Sequence, residues 1–133
     1  MCLFTDNPIP KIAKTPIRVW KNLRKFQSAI NGSSIYRTPH MDTPVKIGEI
    51  LQASLTEELM QYQTPESTMF IVDIQGVHAF ISRKSAILEE IFLSHGIVTE
   101  WEIPAGAKYW IGNGCSKNEI AATEMKFIKV CEN

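Results

Sequence analysis

FIVDIQGVHAFISRKSAILEEIFLSHGIVTEWEIPAGAKYWIGNGCSKNEIAATEMKFIKV, residues 70–130, is the stretch that decides the fold of this 133-residue chain. Two runs rich in apolar and β-branched residues, 70–74 and 77–81, lie on either side of Gly76 and predict strands. A helical segment follows, and then segments of alternating polarity. The order strand, helix, strand, turn, strand, loop, strand predicts that most of the core comes from these residues.

Residues 82–95 have the pattern of the main helix. Ser82 is suited to cap the first turn, because a serine hydroxyl accepts a hydrogen bond from an otherwise unpaired backbone N–H. Gly96 is suited to end the helix in the left-handed conformation. Helical spacing predicts one apolar stripe made of Ile87, Leu88, Ile91 and Phe92.

The residues after this helix alternate strictly between apolar and polar. Residues 97–103 predict a half-buried strand with Ile97, Thr99, Trp101 and Ile103 on one face and Val98, Glu100 and Glu102 on the other. Pro104-Ala105-Gly106 predicts a turn, and residues 108–112 a short strand. The last strand starts at Ile120. One of its faces is expected to carry Ala121, Thr123, Met125, Phe127 and Lys129, with Met125 and Phe127 in the core.

The N-terminal half predicts an extended arm and several shorter elements. Residues 1–16 contain three prolines and should run along the surface. A strand should begin at Ile17, and Asn31-Gly32 predicts a hairpin that pairs 23–30 with 33–38. Residues 45–51 predict a short strand and 56–63 a helix. The expected fold class is α+β: a bent, mostly antiparallel sheet of about seven strands with one main helix.

Length and composition are those of one ordinary soluble domain, with 44% hydrophobic and 21% charged residues. We expect residues 1–133 to form that domain, without a membrane span or a secretory signal. Three scattered cysteines argue against a disulfide framework and favour a reducing, cytoplasmic location.

Charge is divided unevenly along the chain. Residues 1–48 carry eight Lys/Arg and two Asp/Glu, a formal charge of +6, whereas the remainder carries six and twelve, a formal charge of −6. Either the two parts pack together with their charges on different faces, or a basic face attracts phosphate or an acidic partner. Arg37 is a candidate ligand-binding residue of this basic part. Few aromatic residues accompany the basic ones, so nucleic acid is not the expected partner.

Strong catalytic motifs are absent from the sequence. It has no phosphate-binding P-loop and no GxGxxG, HExxH, CxxC or GxSxG, and its histidines lack metal-ligand spacing, so no metal site is predicted. His78 is either a hydrogen-bonded core residue or an acid/base or donor in a cleft. Glu119 is either solvated or in contact with a ribose or leaving group. Tyr109 and Trp110 either pack in the core or line a ligand pocket.

Four segments carry a resemblance that covers nearly the whole chain: residues 1–4, 7–13, 76–80 and 103–110. With these segments the chain resembles a family of short proteins of gut anaerobic bacteria and their phages. Members have a glycine-aromatic-His-Ser/Ala-Phe element, a helix, an Ile-Pro-Lys-Gly element and an aromatic pair. The resemblance implies a phage-associated setting and no particular activity.

The C-terminal half is also similar to the end of small ADP-ribosyltransferase-like domains. There, an Ile-Pro-Xaa-Gly turn, here Ile103-Pro104-Ala105-Gly106, leads through a polar loop to a glutamate that begins the last core strand. The resemblance implies that Glu119 is that glutamate and that Arg18 approaches a nicotinamide cofactor. The sequence departs from the pattern where Arg37-Thr38-Pro39-His40 replaces the Ser-Thr-Ser element.

Two functional hypotheses follow. The first is an accessory module without catalysis, which binds a host protein or a nucleotide-like ligand. The second is a reduced ADP-ribosyltransferase-like or nucleotide-processing enzyme that uses Arg18, His78 and Glu119. In both, NAD or another nucleotide is a candidate ligand, and the expected ligand-binding residues are Arg18, Arg37, His78, Tyr109 and Trp110.

Overall fold

The computed structural model describes residues 3–39, 42–53, 60–63, 65–66, 68–72, 77–90, 94–113 and 119–131. Within them the chain forms thirteen strands and one helix. In chain order these are β1 Leu3–Thr5, β2 Lys11–Ile12, β3 Ile17–Gln27, β4 Ser34–Arg37, β5 Pro44–Val45, β6 Ile50–Gln52, β7 Met60–Gln63, β8 Thr68–Val72, β9 Val77–Phe80, α1 Arg83–Glu90, β10 Gly96–Ile103, β11 Lys108–Gly112, β12 Glu119–Ala122 and β13 Glu124–Val130. None of the described helical residues forms a segment long and apolar enough to cross a bilayer.

The strands form two sheets. The larger has ten strands in the order β2-β11-β12-β9-β3-β10-β13-β6, with β4 paired to β3 and β5, and the smaller has the order β1-β8-β7. Every pairing between the described strands is antiparallel, which confirms the prediction of a mostly antiparallel fold with one helix. The predicted number of about seven strands was wrong. Several strands have only two or three residues, too few for an alternating pattern to be recognised.

The larger sheet curls around the main core. Only Thr123 separates β12 from β13, yet these strands lie at opposite ends of the run β12-β9-β3-β10-β13. One continuous stretch of chain can occupy both ends only if the sheet bends round on itself. The inner face then encloses the main core, in which the rings of Trp101 and Phe127 stack with centroids 4.9 Å apart.

Two irregularities set which side chains of the last strand face inward. Ile120 and Ala122 of β12 and Met125 and Phe127 of β13 all belong to the main core, so the alternation shifts at Thr123. It shifts again after Phe127, because Trp101 pairs with Phe127 but Glu100 pairs with Lys129. This bulge places Lys129 on the outer face. The core positions of Met125 and Phe127 are confirmed, whereas the expected grouping of Ala121 and Lys129 on their face was wrong: Ala121 packs in the smaller core with Leu3 on the other face.

Strand β10 is buried on both faces. Ile103 and Trp101 face the main core opposite Ile17 and Val19 of β3. On the outer face, Val98 is 1% exposed. The half-buried strand predicted for this segment was therefore wrong, because helix α1 covers the outer face as a second layer.

Helix α1 is shorter than predicted and presents a different face to the sheet. The Ser85 N–H donates to Ser82 Oγ at 3.1 Å, which confirms the predicted cap. The residue buried against the sheet is Ala86, packed with Phe80, Val98 and Cys131, because only a small side chain fits above those large ones. Ile87 and Leu88 are 40% and 60% exposed, so the predicted stripe was wrong at both; Ile91 and Phe92 lie outside the described residues.

The end of the predicted helix is a turn. Ser94 and His95 form this turn, and His95 has the left-handed backbone, with φ of +59°. Gly96 is instead the first residue of β10. The left-handed position was predicted for Gly96 but is taken by His95, one residue earlier. Histidine is among the non-glycine residues that adopt this conformation most often.

The hairpin of the N-terminal half is confirmed. Strand β3 runs from Ile17 to Gln27, and its end pairs with β4 in a register that joins Arg24 to Arg37 and Gln27 to Ser34. Gly32 in the connection has φ of +72°, as the turn signal requires. The strand expected over 45–51 is divided into β5 and β6 by a turn at Gly48, whose φ is +91°.

The helix predicted over 56–63 was wrong in its described part. Residues 60–63 form strand β7, which pairs with β8 from Met60–Ile71 to Gln63–Thr68. Residues 54–59 lie outside the described residues. Pairing with a neighbouring strand decides the structure of such a short segment, and local helix propensity does not.

The N-terminal arm is attached through backbone pairing. Strand β1 pairs with β8, and Phe4 exchanges two backbone hydrogen bonds of 2.7 and 2.9 Å with Asn113. Gly112 lies directly beneath, and a Cβ there would collide with the Phe4 carbonyl oxygen. Leu3, fully buried, packs with Val72 and other residues into a smaller core. The small sheet thus covers the outer face of β11 and β12.

Candidate ligand-binding cleft

A row of side chains crosses the outer face of the larger sheet. Phe80 of β9 lies opposite Trp20 of β3, Trp20 opposite Glu100 of β10, and Glu100 opposite Lys129 of β13. Directly opposed residues in antiparallel strands have Cβ atoms about 4.5–5.5 Å apart on the same face. Register therefore brings an aromatic ring, a carboxylate and an ammonium group side by side.

Helix α1 covers only part of this row and leaves a cleft beside it. The cleft, called the outer cleft below, has a volume of about 350 Å³. It lies between the first turn of α1 and strands β3, β10 and β13. Its lining residues are Trp20, Arg83, Glu100, Lys129, Val130 and Cys131.

Glu100 is the central charged group of the outer cleft. Its side chain is only 11% exposed, and Oε2 accepts a hydrogen bond of 2.6 Å from Nη1 of Arg18. Nζ of Lys129 lies 3.9 Å from the same oxygen. Burying a carboxylate is unfavourable unless cations and hydrogen bonds compensate it, and these two residues supply that compensation.

Among the described residues of the outer cleft, cations outnumber carboxylates. Arg83, the first residue of α1, lines it together with Lys129, and Arg18 reaches Glu100 from β3. Among the described residues that line the cleft, the charged ones are Arg83, Lys129 and Glu100, and together they have a formal charge of +1. Such a surplus in a concave site attracts anions, because the low-dielectric walls concentrate the field.

Cys131 is the thiol of the outer cleft and is 8% exposed. Burial raises the pKa of this thiol; Glu100 raises it further, while Arg83 and Lys129 lower it. The net direction is upward, so the group stays a protonated thiol at neutral pH. A thiol is a far weaker nucleophile than a thiolate, which argues against covalent chemistry at this position.

The structure brings His78 and Glu119 together, but outside the outer cleft. Glu119 pairs with Phe80, and His78 with Ala121, so the two are diagonal neighbours on one face at about 7–8 Å. His78 is 9% and Glu119 1% exposed, beneath the small sheet and the helix. Both therefore lie in the interior as the chain is folded.

Arg18 lies on the same face as His78 and Glu119 without joining them. Its guanidinium binds Glu100 on the other side of β3. Glu119 and Trp20 belong to one row, but Phe80 stands between them, so the Cα atoms of Glu119 and Trp20 are about 10 Å apart. Of the three residues of the enzyme hypothesis, Arg18 contacts a residue of the outer cleft through its hydrogen bond to Glu100, whereas His78 and Glu119 lie in the interior.

The remaining candidate ligand-binding residues are dispersed. Trp110 is 8% exposed, and its ring N–H donates to the Pro8 carbonyl at 3.0 Å. Tyr109 packs against the main core, on the opposite face of the sheet. Arg37 donates to Asp42 Oδ1 at 2.8 Å on the hairpin, opposite Arg24 and about 20 Å along β3 from Arg18.

Sequence reasoning missed most of the outer cleft and also missed Lys21. The Lys21 ammonium donates to the His78 carbonyl at 2.8 Å, where β9 and β3 diverge beyond their Trp20–Phe80 pair. Burial lowers the pKa of Lys21 to about 8. The signal available in the sequence was its position between Val19 and Leu23 on the apolar face of a strand.

No cluster of metal-ligating side chains is found among the residues that the structure describes. A scan of protein-family models gives no match for the chain, and neither curated proteins nor solved structures yield a significant similarity.

Proposed function

We propose that this chain is a binding module without catalysis, which holds a small anionic, nucleotide-like ligand in the outer cleft. The observation that carries the proposal is the surplus of cations around one compensated carboxylate. The proposed setting is the phage-associated, cytoplasmic one that the sequence suggests, and nucleic acid is not the proposed partner.

A phosphate entering the outer cleft meets cations first. Arg18 already engages Glu100 at 2.6 Å, so the carboxylate does not repel an anion at full strength. Arg83 and the 63% exposed Lys129 line the same space. Guanidinium groups bind phosphate through two parallel hydrogen bonds and ammonium groups bind it as point charges, so the pair is suited to a phosphoryl group.

Two features favour binding over catalysis. Cys131, the nucleophile of the outer cleft, is held as a thiol by its burial. Glu119, the glutamate that the ADP-ribosyltransferase-like hypothesis requires, is 1% exposed and separated from the cleft by Phe80. That enzyme would need a rearrangement to bring Glu119 to a ligand.

A thermal-shift screen tests the proposal with NAD, ADP-ribose, AMP and ribose 5-phosphate. A ligand present at about 100 times its dissociation constant stabilises the fold by about 2.7 kcal/mol, which is a clear shift. We expect at least one of these phosphates to stabilise the protein, less so as salt rises. No shift with any of them, at millimolar concentration and low salt, would contradict the proposal.

Variants that each remove a single positive charge locate the site. Arg83→Ala and Lys129→Ala should each weaken binding by about tenfold, because each removes a charge-assisted hydrogen bond. Lys84→Ala and Lys126→Ala remove the same charge from exposed neighbours on α1 and β13 and should change affinity less than twofold. Equal losses in all four variants would indicate non-specific attraction and would overturn the assignment to the outer cleft.

A protein partner is the second candidate, and one observation favours it. Ile87 and Leu88 expose 40% and 60% of their surface on the outer side of α1. Exposed apolar side chains that adjoin each other on a helix are suited to a partner's apolar surface. A protein captured by the wild type and lost with Leu88→Lys, but retained by Lys84→Ala, would support this candidate.

A further inference from the structure

Trp20 gives the outer cleft a second recognition element besides its cations. The ring lies between Phe80 and Glu100 in the row across β9, β3 and β10, and it lines the cleft. Trp20 is partly exposed, whereas Trp101 and Trp110 are buried. One part of Trp20 packs against Phe80, Ala86, Val98 and Cys131, and the remaining exposed part lies beside cations, where it can stack with a flat ring that carries a negative charge nearby.

Glu100 offers the cleft a hydrogen-bond acceptor. Its Oε2 is engaged by Arg18 and Lys129. Within the described part of the chain, no hydrogen bond reaches Oε1. A carboxylate oxygen next to an anion site accepts hydrogen bonds from hydroxyl groups, as acidic residues do from ribose in dinucleotide-binding proteins.

We infer that the ligand is a nucleoside monophosphate, with its base on Trp20, its phosphate on Arg83 and Lys129, and a ribose hydroxyl donating to Glu100. This assignment rests on the proposed function, because it presumes that the outer cleft binds an anion. The cleft volume of about 350 Å³ is near the lower limit for ligand pockets. One nucleotide suits that volume better than a dinucleotide such as NAD.

Four probes test the assignment by calorimetric titration at low salt: AMP, ribose 5-phosphate, adenosine and 2′-deoxy-AMP. Ribose 5-phosphate lacks the base and adenosine lacks the phosphate. We expect AMP to bind roughly tenfold or more tightly than ribose 5-phosphate, which is the order expected for one base stacked on an aromatic ring. Adenosine should bind more weakly than AMP by a similar factor, because it lacks the phosphate. 2′-Deoxy-AMP should bind more weakly than AMP by a smaller factor, because it lacks one ribose hydroxyl.

Variants of Trp20 test whether its ring causes the preference for AMP over ribose 5-phosphate. Trp20→Leu should lower the affinity for AMP to within about twofold of that for ribose 5-phosphate, and Trp20→Phe should retain part of the preference. Phe26→Leu, at a 37% exposed aromatic on the same strand outside the cleft, is the matched control and should leave both affinities unchanged. Thermal unfolding of each variant verifies that it is folded.

The outcomes separate this inference from the proposed function. Equal affinities of the wild type for AMP and ribose 5-phosphate overturn the base subsite and leave the anion site standing. Binding of neither phosphate overturns the proposed function itself. A base preference that survives Trp20→Leu refutes the placement of the base on Trp20.

Discussion

Replacing Lys21 with methionine should change how the stability of the protein depends on pH. The Lys21 side chain shares the inner face of β3 with Val19 and Leu23, and its opposite neighbour on β10 is Thr99, which does not titrate. Its ammonium donates to one backbone carbonyl at 2.8 Å, and none of the described carboxylates lies within ion-pair distance of it. Holding a charge there is therefore unfavourable.

The magnitude follows from the shift in the pKa of Lys21. Burial lowers this pKa from 10.5 to about 8, and each unit is worth about 1.36 kcal/mol. Between pH 8 and 10.5 the unfolded chain binds more protons at this residue than the folded chain, so the free energy of unfolding rises with pH. Below pH 8 both states are protonated and the unfavourable term is fully present. From pH 7 to pH 10 the wild type should gain about 2.5 kcal/mol from this group.

Urea unfolding of the wild type and Lys21→Met at several pH values from 7 to 10 measures this gain. The difference in unfolding free energy between the two proteins should move by about 2.5 kcal/mol in favour of the wild type. Lys126→Met, at an exposed lysine of β13, serves as the control for removing a lysine. If the difference between wild type and Lys21→Met stays constant over this range, the reasoning about the buried ammonium is refuted.

Three further predictions concern packing and capping. Ser82→Ala should lower the unfolding free energy by about 1 kcal/mol in urea, since it removes the acceptor for the Ser85 N–H, whereas Ser82→Asn should restore most of it. Gly112→Ala should destabilise by several kcal/mol or release β1, because the added Cβ collides with the Phe4 carbonyl oxygen; a change below about 0.5 kcal/mol in urea would contradict this contact. Ala86→Leu should lower the free energy of unfolding by about 1–3 kcal/mol, and with it the melting temperature, because the larger side chain overpacks the space above the sheet. Leu88→Lys should change the free energy of unfolding by less than about 0.5 kcal/mol, because Leu88 is exposed. If Leu88→Lys destabilised the protein more than Ala86→Leu, the helix would present its Leu88 face to the sheet.

Local patterns predicted the elements whose signals are local. Ser82 capped its helix, and Gly32 gave the hairpin its turn. Met125 and Phe127 entered the core as expected. Each of these outcomes depends on a few adjacent residues, whose propensity and alternation can be read directly.

Other features depended on distant parts of the chain and could not be read in this way. The predicted helix over 82–95 has an apolar stripe at the correct spacing, yet the sheet below α1 accepts only Ala86, because Phe80 and Val98 already fill the space. Alternation in the last strand fails at the bulge beyond Phe127, which turns Lys129 outward. A bulge adds one residue and reverses every later side chain, and the pairing partner that causes it is invisible in the strand itself.

The charge asymmetry of the sequence indicates that the basic and acidic parts of the chain meet, but it does not indicate where. Strand β3 comes from the basic part of the chain but lies between β9 and β10 of the acidic part, so the two parts pack together. Arg18 and Glu100 form an ion pair across that boundary. Trp20 and Glu100 are eighty residues apart in sequence, and only the register of β3 against β10 makes them neighbours. A cleft whose residues are brought together by strand register follows from the pairing of distant strands, whereas composition alone indicates only the sign of its charge.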